Sequence, residues 1–381
     1  MTANPLHRSL DRLDRELADL SVSTRLYLRP IGLLNGAAAA EVLSDGRACA
    51  LAGGPLAMSA CEVQIRAAQG VRRIAVEIAG LQAWAAARAT PAAGRIATLL
   101  ARIAAPRPGM ADGPRLMGIV NVTPDSFSDG GEHVDAATAL AYCREMASAG
   151  AGILDIGGES TRPGAAPVSP AEELARVLPV LEGLQTMRGD LAGIELSIDT
   201  RHSLVMRAAT AAGAGIINDV TALTGDPAAL AAAAASNARV VLMHMQGEPA
   251  TMNRSPAYDD VALDVFDFLE ARIEACVAAG VDRQRLIVDP GIGFGKRSPE
   301  NLAILRAITL FHGLGCPILL GVSRKGLGAG MESIPPKQRL PTSLAAAMHA
   351  LANGVQVLRV HDVAETRQVV ELWRRLNDAA V

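Results

Sequence analysis

Residues 194–219 read IELSIDTRHSLVMRAATAAGAGIIND. An apolar run closed by Asp199 leads into a stretch of helical composition. A second apolar run follows, closed by Asn218 and Asp219. Runs of this kind, without polar alternation, suit strands buried on both faces, as in a parallel sheet. The same unit recurs on either side. The apolar runs are Leu116–Asn121, Gly152–Ile156, Ile194–Asp199, Gly215–Asn218, Arg239–His244, Leu286–Asp289, Pro317–Gly321 and Val357–Val360. Helix-like segments such as Pro170–Leu184 and Tyr258–Ala279 lie between them. Eight such units over residues 115–381 predict an α/β fold of the (β/α)8 TIM barrel type. A doubly wound open sheet is the competing architecture.

Upstream, the stretch APRPGMADG at Ala105–Gly113 is rich in Pro and Gly, as a linker would be. It divides the chain into residues 1–105, a linker at 106–114, and the barrel at 115–381. Residues 6–20 could form an amphipathic helix, and Tyr27–Pro30, Ala48–Leu51 and Arg73–Ile78 read as strands. The predicted N-terminal extension is therefore a small α/β piece, and no chemistry is legible in it.

Bulk composition narrows the function. A net charge of −3 removes nucleic acid as a partner and gives no attraction to an anionic membrane. The N-terminus lacks a basic stretch followed by an apolar core, so no secretory signal is expected. No apolar run is long enough for a membrane span. The cysteines, Cys49, Cys61, Cys143, Cys276 and Cys316, are odd in number and show no C-x-x-C spacing. That argues against a disulfide framework or zinc cluster and fits a reducing, cytoplasmic setting.

The informative feature is where the polar residues fall. Nearly every apolar run ends in one: Asn121, Asp155 with Glu159, Asp199, Asn218, His244, Asp289, Ser323-Arg324-Lys325, and Arg359 with His361. In a barrel these ends open on one face, where catalysis occurs. Any single Asp or Asn could be a helix cap. Capping does not account for the whole set, which mixes carboxylates, amides and cations. Such a set suits a flat heterocycle with several N–H donors beside an anionic group. GIGFGK at 291–296 lacks the spacing of a phosphate-binding loop, and its glycines read as a tight strand-to-helix turn. His244 lies in an apolar run and reads as a buried histidine. No Ser-His-Asp or Cys-His arrangement is visible.

GIVNVTPDSFSDGG (118–131) and GGESTRPGA (157–165) resemble the two long signatures of dihydropteroate synthases. SIDT (197–200), IIND (216–219), LMHMQG (242–247), DPGIGFGK (289–296), GVSRK (321–325) and RVHD (359–362) follow in the family's order. The resemblance implies a transferase of folate biosynthesis. Such an enzyme condenses 6-hydroxymethyl-7,8-dihydropterin pyrophosphate with p-aminobenzoate, giving 7,8-dihydropteroate and pyrophosphate. It also implies roles. Asn121 would ligate Mg2+ together with the pyrophosphate, while Phe127 and Asp129 close over p-aminobenzoate and the metal. Thr161, Arg162 and Pro163 would wall the p-aminobenzoate pocket. Asp199, Asn218 and Asp289 would read the pterin edge, and Phe294 would flank the ring. Lys325 would donate to the pterin carbonyl and ring nitrogen. Arg359 would stack on the pterin and, with His361, hold the pyrophosphate. Asn121, Asp129, Lys325, Arg359 and His361 form the implied catalytic set. A homodimer is implied by kinship as well.

One position departs from the family pattern. Gly326 stands where the family has Ser after the Ser-Arg-Lys run, which bears on p-aminobenzoate and sulfonamide binding. Two other functions share parts of the pattern. A corrinoid methyltransferase using methyltetrahydrofolate would share the barrel and the pterin contacts but has no use for the pyrophosphate motifs. A non-catalytic pterin-binding paralogue is favoured only by Gly326.

Overall fold

The computed structural model describes residues 5–18, 24–123, 136–160, 167–247, 252, 256–328 and 330–378. The N-terminal part comprises α1 (Pro5–Ala18), β1 (Arg25–Leu34), α2 (Gly36–Ser44), β2 (Cys49–Ala50), β3 (Ala57–Ala67), β4 (Gly70–Glu77), α3 (Ile78–Ala86) and α4 (Pro91–Ala104). The remainder alternates strand and helix. Its elements are β5 (Arg115–Asn121), α5 (Ala136–Ala149), β6 (Ile153–Gly157), α6 (Pro170–Thr186), β7 (Glu195–Asp199), α7 (Ser203–Ala211), β8 (Ile216–Asp219), α8 (Ala229–Ala235), β9 (Arg239–Met243), α9 (Val261–Ala278), β10 (Leu286–Asp289), α10 (Ser298–Arg306), β11 (Leu319–Leu320), α11 (Leu340–Ala352), β12 (Val357–Val360) and α12 (Val363–Leu376).

The eight later strands are parallel and ordered β10-β9-β8-β7-β6-β5-β12-β11. A parallel bridge between Val288 and Ile318 joins β10 to β11 and closes the ring. The architecture is the TIM barrel, not the open sheet. The run expected at Pro317–Gly321 is a strand only at Leu319–Leu320.

The pleat sorts the side chains. Met117, Ile153, Ile216, Val241, Ile287, Leu319 and Val357 point inward and, with Met110, fill the barrel interior. Their strand neighbours Leu116, Leu154, Ile217, Val240, Leu286, Leu320 and Leu358 belong to the shell between strands and helices. Residues two apart share a face. The inward position above Ile153 is therefore Asp155, above Ile216 is Asn218, above Ile287 is Asp289 and above Val357 is Arg359. Strand periodicity alone delivers these polar side chains to the carboxyl-end mouth. At the opposite end, Glu195 accepts from Arg115 at 2.9 Å and also pairs with Arg239.

Helix starts follow local rules. Ser169 caps α6 by accepting from the Glu172 N–H at 3.3 Å, with Pro170 first in the helix and Glu172 and Glu173 in its first turn. Asp260 caps α9 by accepting from the Leu263 N–H at 3.3 Å.

The N-terminal strands form an antiparallel sheet in which β3 pairs with β1, β2 and β4. Pro30 sits in β1, an edge strand bonded only to β3, where a missing N–H is tolerated. The strands expected at Tyr27–Pro30 and Arg73–Ile78 are longer or shifted, and β3 was not expected. Its signal is the alternation Cys61, Val63, Ile65 against Glu62, Gln64, Arg66.

The sheet docks on α9. Carboxylates at 260, 264, 267 and 270 line one stripe of that helix, as i, i+4, i+7 spacing requires. Arg73 meets Asp260 at 2.6 Å and Arg66 meets Asp264 at 2.6 Å. The Tyr27 hydroxyl donates to Asp267 at 2.8 Å, and its ring stands edge-on to Phe266 with centroids 5.3 Å apart. Glu270 is buried and takes Arg25 at 2.8 Å, Arg95 at 2.9 Å and Arg102 at 3.2 Å. The apolar residues of the two parts form one continuous cluster.

Candidate functional site

The deepest polar layer centres on Asp155, which is fully buried. Its Oδ1 accepts from Ser197 Oγ at 2.6 Å. Its Oδ2 accepts from Asn218 Nδ2 at 3.0 Å and from Arg359 Nε at 2.6 Å. Arg359 reaches one layer higher, where a terminal nitrogen donates to Asp199 Oδ2 at 2.6 Å. The strand register explains this reach. Arg359 is level with Met117, whereas Asp155 is level with Ile119 and Asp199 lies two strands away through Gly157, level with Asn121. The long arginine stem rises along the barrel axis and crosses β5 to find both carboxylates.

The electrostatics follow from burial and pairing. Burial pushes the Asp199 carboxyl up to about 7, against the pull of Arg359 and with the help of neighbouring Asp155. Burial works against the Arg359 charge, but Asp155 and Asp199 outweigh it and hold the guanidinium firmly protonated. The cluster thus joins one fixed cation to acceptors that a donor-rich ring could compete for.

The second half of the site is the turn after β10. Asp289 is buried, and its Oδ1 accepts from the Gly291 N–H at 2.7 Å. Burial raises its pKa despite the opposing charge of Lys325. Gly291, Gly293 and Gly295 have φ of 69°, 82° and 64°. A Cβ at Gly291 would lie 2.0 Å from the His244 carbonyl oxygen, so only glycine fits there. The predicted tight strand-to-helix turn is what these glycines make. Lys325 Nζ donates to the Ile292 carbonyl and lies 4.7 Å from the centroid of the Phe294 ring. Burial draws the Lys325 pKa down to about 8, Asp289 opposing and Arg359 assisting. A Cβ on Gly321 would lie 3.9 Å from Lys325 Nζ and 4.0 Å from Arg359 Cβ. The two halves of the site therefore flank one glycine of the barrel wall.

The segment after β11 carries the third group. Arg324 has φ of 60°, and its guanidinium pairs with Asp362, the Nε at 3.0 Å from Oδ2. Ser323 Oγ accepts from the His361 N–H at 3.2 Å and lies 3.1 Å from His361 Nδ1. These contacts bring the ends of β11 and β12 together and set His361 at the mouth. A Cβ on Gly326 would lie 3.0 Å from both Cα and Cγ of Glu332. The segment at 330–339 packs over this position, so glycine has a local steric reason here.

Asn121, Asp199, Asn218, Asp289, Phe294, Lys325, Arg359 and His361 all lie at the carboxyl ends of barrel strands or in the turns that follow. Phe127, Asp129, Thr161, Arg162 and Pro163 lie outside the described residues. Asp155 belongs to the polar strand-end set of the sequence but has no role assigned there, and Ser197 and Lys296 are not among the expected site residues. Asp155 and Ser197 sit one inward step below the strand ends, where the i+2 pattern in GILDIGG and ELSID puts them. Lys296 is buried behind the β10 turn, and no sequence signal separates it from a surface lysine. His244 is buried, as expected, and its ring stands edge-on to Phe268 with centroids 4.9 Å apart. Asn121 offers a half-buried amide oxygen, a donor that suits a hard cation. No cluster of His, Cys, Asp and Glu among the described residues would hold a metal unaided.

Residues 117–361 match the family described as "Pterin binding enzyme". The chain is 44% identical over 259 residues to the dihydropteroate synthase of Escherichia coli K12, covering 68% of this chain and 90% of that one. It is 46% identical over 271 residues to the dihydropteroate synthase of Neisseria meningitidis serogroup B, covering 70% and 93%. Among solved structures it is similar to the Yersinia pestis dihydropteroate synthase with a sulfonamide drug complex, with a TM-score of 0.65 and 46% identity, covering 70% and 94%. It is similar also to the Xanthomonas albilineans dihydropteroate synthase in complex with 7,8-dihydropteroate, with a TM-score of 0.63 and 45% identity, covering 71% and 98%.

Proposed function

The chain belongs to the dihydropteroate synthase family of pterin binding enzymes, and from that membership we propose how its own side chains carry the reaction. The activity is a transfer: 6-hydroxymethyl-7,8-dihydropterin pyrophosphate and p-aminobenzoate give 7,8-dihydropteroate and pyrophosphate. The observation that carries the residue assignment is the single mouth at which Asp155, Asp199, Asn218 and Arg359 adjoin Asp289 and Lys325.

In this reading the pterin lies across the mouth. Asp199, Asn218 and Asp289 accept from and donate to its pyrimidine edge, and a carboxylate can take two of its N–H groups at once. Lys325 turns from the Ile292 carbonyl to the ring carbonyl and nitrogen. Phe294 covers one side of the ring, and the flat guanidinium of Arg359 covers the other. Arg359 and His361 receive the pyrophosphate. By the resemblance, Phe127 and Asp129 complete the site, and Thr161, Arg162 and Pro163 wall the p-aminobenzoate pocket.

The bond between the pterin methylene carbon and the pyrophosphate oxygen breaks, and the electron pair leaves with the oxygen. The p-aminobenzoate nitrogen then shares its lone pair with the methylene carbon and loses a proton to water. No protein nucleophile is required. The side chains contribute placement and charge complementarity to the departing pyrophosphate. Asn121 is the side chain we assign to Mg2+, which would take its remaining oxygens from the pyrophosphate and water. When bound, Mg2+ supplies positive charge to the leaving group.

Kinship supports a homodimer. The five free cysteines support a cytoplasmic setting. Among the described residues no helix is long and apolar enough to cross a membrane. The test of the reading is incubation of purified protein with Mg2+, pterin pyrophosphate and p-aminobenzoate. Equal yields of dihydropteroate and pyrophosphate are expected. A methyl transfer activity, or pterin binding without product, would refute it.

A further inference from the structure

Lys296 is buried, and among the described residues no carboxylate pairs with it. Its Nζ lies 2.8 Å from His244 Nδ1, 2.9 Å from the Gly291 carbonyl, 3.1 Å from the Phe294 carbonyl and 3.2 Å from the His244 carbonyl. An ammonium has three N–H donors and no acceptor, so these four acceptors saturate it. Sequestering such a group is costly. Burial draws its pKa down to about 7, with Asp289 opposing and Lys325 assisting. Burial, reinforced by Lys296, pulls His244 down to about 3, which leaves the imidazole neutral and able to accept. A residue needed only to fill space here would be Leu or Met.

The acceptors come from two segments. Gly291 and Phe294 belong to the turn after β10, and His244 directly follows β9. The segments lie backbone on backbone, since a Cβ at Gly295 would be 2.4 Å from the Gln246 carbonyl oxygen. The same turn gives Asp289 its N–H partner at Gly291, carries the Phe294 ring, and offers Lys325 the Ile292 carbonyl. Asn301 fixes the outer side of the turn, accepting from the Gly293 N–H at 2.7 Å and donating to the Lys296 carbonyl at 3.1 Å.

We infer that Lys296 is a positioning residue for the pterin half of the reaction. Its Nζ ties the Gly291 and Phe294 carbonyls to His244 and thereby sets the angle at which Asp289, Phe294 and Lys325 face the ring. It touches no substrate itself. The inference rests on the proposed pterin contacts of Asp289 and Phe294.

The test is steady-state kinetics of full-length Lys296→Met, which keeps an unbranched chain one atom shorter and removes the donors. The KM for pterin pyrophosphate should rise about tenfold or more, while the KM for p-aminobenzoate at saturating pterin stays within about twofold. A lower kcat with both KM values unchanged would reflect only lost folded enzyme and would overturn the inference. Lys296→Gln retains two N–H donors and should give a smaller rise, about threefold. If Lys296→Met does not fold, an unchanged pterin KM in Lys296→Gln overturns the inference. Asp289→Asn is measured alongside. If it leaves the pterin KM unchanged, the pterin reading itself falls, and the inference with it. If Asp289→Asn raises that KM and Lys296→Met does not, only the inference falls.

Discussion

The guanidinium of Arg359 on β12 is bound to the carboxylate of Asp155 on β6, two strands away across the barrel, with Nε 2.6 Å from Oδ2. This pair forms the deepest polar layer of the barrel mouth, and Asn218 and Ser197 donate to the same carboxylate.

Asp155→Ala should therefore do more than remove one charge. It leaves the Arg359 Nε, the Asn218 amide and the Ser197 hydroxyl without their acceptor. A loss of about 3 kcal/mol in stability is expected from a buried pair stripped of one partner. The kcat/KM for pterin pyrophosphate should fall about 100-fold as Arg359 loses its anchor. Denaturant titration and steady-state kinetics on the same preparation check both. Asp155→Asn keeps an acceptor for Ser197 and should cost less than half as much.

The departure at Gly326 yields a steric prediction. Gly326→Ser puts a Cβ 3.0 Å from Glu332 Cα, so the backbone of the overlying segment must give way. A destabilisation of about 1 kcal/mol is expected, read as a lowered thermal midpoint. A stabilised variant would show that the segment at 330–339 does not hold this position.

The docking of the N-terminal part on α9 depends on Glu270. Glu270→Ala leaves three arginines around an empty acceptor, and a loss of about 3 kcal/mol is expected. Arg25→Ala should cost under about 1 kcal/mol, because Arg25 is half exposed and its partners keep other cations. Denaturation of the two variants in parallel tests the asymmetry.

Stability should fall on the acid side partly through His312. Burial, assisted by Arg107, pulls its folded pKa down to about 3 from 6.5, while its Nε2 meets the Asn353 carbonyl oxygen at 2.9 Å. The unfolded chain takes up a proton below 6.5 and the native chain does not. The contribution is therefore full above pH 6.5 and shrinks as pH falls, by about 1.4 kcal/mol per unit. The stability gap between wild type and His312→Gln should narrow by about 2 kcal/mol between pH 7 and pH 5. A gap independent of pH would contradict the assignment.

Much of this was legible in the sequence because the period of two in a strand is strict. Once SIDT and IIND are read as strand ends, Asp199 and Asn218 must face inward together, and their neighbours outward. Asp155 is legible in the same terms, two residues above Ile153 on the inward face, but its pairing with Arg359 across β5 is not, because that depends on the barrel register. The 2.8 Å contact of Lys296 with His244 was not legible, because it depends on how two loops pack. Nor could the sequence reveal the docking of the N-terminal part on α9, since Glu270 looks like any helical surface glutamate until Arg25, Arg95 and Arg102 surround it.

The barrel mouth is expected to read the pterin through its carboxylates. The direct measurement is calorimetric titration of wild type and Asp199→Ala with pterin pyrophosphate in Mg2+. Saturable one-site binding to wild type and at least about 100-fold weaker binding to the variant are expected. Equal affinities in the two proteins would contradict it.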